Sequence, residues 1–214
     1  MISPPTAPSR LPAGGLLVLL LLVAAVAAAG VGVAWAANPA PTGAFAKCRT
    51  APQVAPRVYK AAPAMCIDTN KPYSATILTT KGDVTVAFLV GSAPVTVNNF
   101  IVLAVNGYYN GLKFFQITDW YMQTGDPLNN GHGGPGYTLP EEPAPNDAWA
   151  PGSLGMARLP EGISGGQAFI TKQPWPGGNP TLAYNHFATV SLGIDILAQL
   201  TTEDRILRID VKRG

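Results

Sequence analysis

Two histidines, two cysteines and one short acidic cluster are the first places to look for chemistry in this 214-residue chain. His132 and His186 stand 54 positions apart with no acidic or cysteine partner at ligand spacing, so the pattern predicts no metal site. Gly131 to Gly136 matches G-x-G-x-x-G formally. No helix is expected after it and no acidic residue sits at the ribose distance, so it reads as a loop and not as a dinucleotide site. Glu141, Glu142 and Asp147 read as a solvated loop cluster. Cys48 and Cys66, 18 positions apart in a Pro-rich stretch, are either two unrelated thiols or a disulfide. In the second case the chain-entropy model assigns about 3 kcal/mol and an oxidising compartment is required. Asn179-Pro180-Thr181 is no glycosylation site, because its middle residue is proline.

Lys plus Arg total 14 against 12 Asp plus Glu, a net charge of +2, which excludes a nucleic-acid binder working by phosphate neutralisation and an acidic disordered tail. Strand-rich runs Tyr73–Thr79 and Val84–Val90 flank Thr80-Lys81-Gly82-Asp83, a hairpin signal. Val97, Phe100, Ile101, Ala104 and Val105 follow Pro94 with helical spacing, and Asn106-Gly107 ends the helix. Short strands are expected at Lys113–Ile117, Tyr121–Gln123, Gln167–Thr171 and Arg205–Val211, a short helix at Gly193–Leu200, and loops at Asn129–Gly136 and Thr138–Gly152. Many strands, two helices and long Gly/Pro loops predict a mainly β fold, a closed antiparallel barrel with helical caps.

Ahead of this domain the chain divides into a tail (1–13), an apolar run (14–37) and a Pro-rich linker or collar (38–66), with the globular part at 67–214. Gly14 to Ala37 holds no charged residue, and at about 1.5 Å per helical residue it spans a hydrocarbon core of about 30 Å. Arg10 before it and Ala34-Trp35-Ala36 at its end fit a signal peptide. The run exceeds the usual signal length and favours an uncleaved transmembrane helix. Basic residues Lys47, Arg49 and Arg57 against Arg10 do not force an orientation. The signal-like start and the cysteine pair point to a single-pass cell-membrane protein with its C-terminal domain outside the cytoplasm.

Seven phrases in order resemble the cyclophilin family of peptidyl-prolyl isomerases, from about Tyr73 to the C-terminus. They are Thr96-Val97-Asn98-Asn99-Phe100, Gly107-Tyr108-Tyr109-Asn110-Gly111, Lys113-Phe114, Gln123-Thr124-Gly125-Asp126-Pro127, Gly131-His132-Gly133-Gly134-Pro135-Gly136-Tyr137, Gly155-Met156-Ala157 and Gly165-Gly166-Gln167-Ala168-Phe169-Ile170. The resemblance implies an eight-stranded antiparallel barrel closed by two helices, no cofactor, and proline-containing peptide segments as partners. It also implies that Gln123 and Gln167 bind the substrate backbone and that Ala157 pairs beside the groove. Phe169, Leu182 and His186 would line the proline pocket, with Trp120 or Tyr121 at its aromatic and methionine positions.

Departures from the family pattern cluster at the electrophile. The family's Phe-His-Arg phrase reads Phe114-Phe115-Gln116, placing Gln116 at the catalytic arginine position. Glutamine donates a hydrogen bond but carries no charge and no fork. Arg158 replaces an asparagine and would bring a guanidinium from another wall; Thr181 stands for a tryptophan, with Trp175 nearby, and Phe187-Ala188 for Phe-Gly. Two expectations follow: a membrane-anchored X–Pro isomerase of weakened rate acting on extracytoplasmic proteins, or a non-catalytic docking subunit of a larger membrane complex.

Overall fold

The computed structural model describes residues 40–142, 149–176 and 184–214. The expected span 14–37 and the Leu182 position lie outside the described residues; among those described, no helix is long and apolar enough to cross a membrane.

In chain order the strands are β1 Gln53–Ala55, β2 Val58–Tyr59, β3 Tyr73–Thr79, β4 Asp83–Phe88, β5 Gln116–Ile117, β6 Tyr121–Thr124, β7 Thr138–Leu139, β8 Ser153–Leu159, β9 Gly162–Thr171, β10 His186–Leu192 and β11 Ile206–Arg213. The helices are α1 Pro94–Val105 and α2 Ile194–Leu197. Nine strands form one sheet in the order β11-β3-β4-β10-β8-β9-β6-β5, with β7 added on β9. This corrects the expectation of a closed eight-stranded barrel. The sheet is curled but open, because Lys113–Phe115 does not extend β5 into a ladder. Its two ends meet through an isolated Lys113–Arg205 bridge and single bonds such as Ile206 N–H to Leu112 O at 2.9 Å. β8 and β10 lie where no strand was expected.

Alternation builds the interior. β3 is buried at every second residue from Tyr73, and β4 turns Val84, Val86 and Phe88 inward. Phe88, Phe100, Tyr109 and Phe187 stack there with centroids 4.7–6.4 Å apart. α1 differs from the amphipathic helix its spacing suggests: nine of its 12 residues are buried, including Asn98 and Asn99. Its second face is covered by the segment preceding the domain. Asn98 Oδ1 accepts from the Cys66 and Ile67 N–H groups at 2.8 and 3.3 Å, Asn98 Nδ2 donates to Ala64 O, and Asn106 Nδ2 donates to Cys48 O. Cys48 and Cys66 form a disulfide that closes this arm.

Candidate active site

Strand register brings the candidate residues into a single row. Gln116 of β5 lies opposite Gln123 of β6, Gln123 opposite Phe169 of β9, Phe169 opposite Gly155 of β8, and Gly155 opposite His186 of β10. Side chains alternate across a sheet, so paired positions share a face. The intervening residues Met122, Ala168, Ile170, Leu154 and Met156 fill the core. The row consequently occupies the outer, convex side of the curled sheet.

Above this row lies a cavity of about 160 Å³, lined by Trp120, Tyr121, Gln123, Ala157, Arg158, Phe169, Trp175 and Tyr184. Roughly 10–15 Å³ of such space admits one water, so this one has room for a small ring. Its walls are aromatic. Trp175 stands 5.0 Å from Trp120 and 5.2 Å from Tyr184, and Tyr184 and Tyr121 meet Phe169 edge-on at 5.6 and 6.4 Å. Burial pushes the Tyr121 phenol above its ordinary pKa, with a smaller contribution from Tyr184, so it is a neutral donor at physiological pH.

The polar floor is held from behind. Gln123 Nε2 donates to Gln167 Oε1 at 2.8 Å, and Gln167 Nε2 donates to the carbonyls of Gly131 and Gly133 at 2.9 and 2.7 Å. Gln167 is fully buried and orients Gln123, while Gln123 is the glutamine that faces the cavity. The carbonyls are fixed by buried Asp126, whose carboxylate accepts from the N–H groups of Leu128, Asn130 and Gly131 at 2.6–2.9 Å. A Cβ at Gly133 would come within 1.9 Å of Asp126 Oδ1, so only glycine closes this turn.

Two expected site residues belong to this row without being among those that line the cavity. Gln116 is exposed on β5 and is not among the lining residues. His186 is buried and stacks on Trp149 with centroids 4.5 Å apart, and Trp149 in turn stacks on Phe169 at 5.5 Å. Gly155 makes this possible: a Cβ there would approach Phe169 Cζ to 2.5 Å and Trp149 Cη2 to 2.6 Å. Trp149 and Tyr184 escaped the sequence reading because lone aromatics in Pro-rich loops carry no periodicity. In the described part of the acidic cluster, Glu141 is exposed while Glu142 is partly buried. Glu141 pairs with Arg158, and Glu142 accepts from the Val95 and Thr96 N–H groups at the N-terminus of α1 at 2.9 and 2.8 Å. A carboxylate at that end satisfies unpaired helix donors and opposes the helix dipole. Asp147 lies outside the described residues.

Comparison with known proteins agrees with this geometry. Residues 74–211 match the family model for cyclophilin type peptidyl-prolyl cis-trans isomerases. A peptidyl-prolyl cis-trans isomerase of Synechococcus elongatus is 34% identical over 137 residues, covering 62% of this chain and 92% of the relative. Peptidyl-prolyl cis-trans isomerase B of Bacillus subtilis is 33% identical over 123 residues, covering 56% and 85%. The crystal structure of a Cryptosporidium parvum cyclophilin type peptidyl-prolyl cis-trans isomerase superposes with a TM-score of 0.60 at 25% identity, covering 67% of this chain and 99% of that one. A second structure of that protein, obtained in the presence of the dipeptide Ala-Pro, gives 0.59 at 26% identity, covering 66% and 99%. With the family's sequence and its fold both present over the segment that builds the cavity, the chain belongs to the cyclophilin-type peptidyl-prolyl cis-trans isomerase family.

Proposed function

We propose that this protein binds X–Pro segments of extracytoplasmic proteins in the outer-face cavity and accelerates their cis/trans isomerisation, at a rate below that of relatives with arginine at the Gln116 position. The observation that carries this reading is the cavity itself, with Gln123, Ala157 and Phe169 on one wall system. Rotation about the prolyl amide meets a barrier of about 18–20 kcal/mol, set by the double-bond character of the C–N bond. A site lowers it by burying the ring, gripping the carbonyl side, and donating to the nitrogen whose lone pair becomes localised in the twisted state. Such interactions are stronger in the transition state than in the ground state. The aromatic walls supply the ring contact and Gln123 the polar grip. A neutral amide at the arginine position gives up charge assistance, which roughly doubles the strength of such a bond.

The apolar run 14–37 supports a membrane anchor, and the disulfide supports an oxidising, extracytoplasmic setting for the domain. The placement of Gln116 on the exposed strand, away from the cavity, favours a second reading, a non-catalytic docking subunit of a membrane complex. Exchange spectroscopy of a proline tetrapeptide with the full-length protein in detergent micelles separates the two. Isomerisation above the uncatalysed rate is expected, and exchange at the uncatalysed rate, with bound peptide, would leave the docking reading.

A further inference from the structure

The proposed isomerase reading leaves open which group donates to the prolyl nitrogen, and the following rests on that reading. Gln116 does not line the cavity. Gln123 does, and one N–H of its amide donates to Gln167, but the amide carries no charge. Tyr121 and Tyr184 offer phenols. Among the lining residues one is cationic, Arg158. It borders the cavity next to an interruption of the β8–β9 ladder. Pairing jumps from Met156–Ala168 to Arg158–Ile163, and such irregularities re-aim side chains. Ala157 and Arg158, neighbours on β8, both line the cavity.

The guanidinium is also positioned. Arg158 Nη2 lies 2.5 Å from Glu141 Oε1, with the arginine side chain 24% exposed. Glu141 in turn is fixed by its neighbour. Glu142 N–H donates to Asn185 Oδ1 at 2.8 Å, its carboxylate accepts from the first turn of α1, and Asn185 Nδ2 donates to Pro140 O at 2.9 Å. A guanidinium carries five N–H donors in a fixed fork, and charge-assisted donation is strongest where water is thinned out by aromatic walls. We propose that Arg158, held by Glu141, is a catalytic residue that donates to the substrate prolyl amide in its twisted state. No bond is made or broken; the arginine stabilises a lone pair as it localises.

The test measures kcat and KM for an Ala-Ala-Pro-Phe peptide with the full-length protein in micelles. Arg158→Gln is expected to lower kcat at least tenfold with KM within twofold, and Arg158→Lys to recover part of kcat by restoring charge. An unchanged kcat, a loss confined to KM, or a lysine variant no better than the glutamine one overturns the proposal. If Arg158→Gln does not fold, Glu141→Gln carries the test: kcat severalfold lower with KM unchanged supports it, and an unchanged kcat overturns it. A wild-type protein without catalysis refutes the isomerase reading itself, which is distinguishable because no variant is needed to see it.

Discussion

Gln116 lies directly across from Gln123, on the same face but outside the cavity. A longer side chain there would lean over the same row. Gln116→Arg is expected to raise kcat tenfold or more, about 1.4 kcal/mol of barrier, in a proline-peptide exchange assay. No gain in a protein whose circular dichroism is unchanged would mean that the groove differs from the family's. Gly155 is the other decisive position, because a methyl group there intrudes on Phe169 and Trp149. Gly155→Ala should cost about 1–3 kcal/mol, the range for overpacking, and weaken peptide binding. Urea denaturation checks the first and titration calorimetry the second; a neutral outcome in both would show that the two rings are not locked together. At this scale the sequence was partly legible. Gln123, Ala157 and Phe169 line the cavity, each embedded in a strand whose register is fixed by the buried alternate residues. The surroundings of His186 were not legible, because Trp149, on which it stacks, lies in a separate loop.

Among elements, the arm before β3 and the turn before β11 carry the most testable energetics. The Cys48–Cys66 bridge ties the arm over α1, and the entropy of the loop it closes is worth about 3 kcal/mol. The Cys48→Ser/Cys66→Ser protein should therefore melt lower than wild type, with a melting temperature no longer sensitive to reductant. A wild type indifferent to reductant would contradict the prediction. Asp204 joins the hairpin turn to the segment before β11: its carboxylate accepts from Thr80 Oγ1 at 2.6 Å and from the Thr201 N–H and Oγ1 at 2.8 and 2.9 Å. The Thr80 bond, followed by those from Thr201, holds its pKa below the ordinary carboxylate value despite opposing desolvation. A depressed folded-state pKa gives stability that is complete above the unfolded value near pH 4 and is lost as pH falls through the lowered one. Asp204→Asn should thus be less stable than wild type at pH 7, with the gap narrowing below about pH 4; urea midpoints at several pH values check it. β3, β4 and α1 were readable because they are long and periodic. β8 and β10 were not: Gly155 interrupts the apolar run of β8, and β10 ends in exposed Ser191 and Leu192. Their strand character comes from neighbours on both sides, which no local pattern records.

For the whole molecule, the curled sheet keeps its filled core on one side and turns a row of five paired strands outward, so a groove can change its chemistry without touching the core. Openness of the sheet was unreadable because closure depends on whether residues 111–115 continue a ladder, a tertiary outcome. The central claim is that this outer cavity takes a prolyl ring. Titrating an Ala-Pro peptide into isotope-labelled protein in micelles, read by NMR, tests it most directly. The account predicts shifts concentrated at the Gln123 side-chain amide, the Trp120 and Trp175 indoles and the Ala157 and Phe169 backbone. Saturating peptide that leaves these signals unmoved, or moves a different face instead, would contradict it.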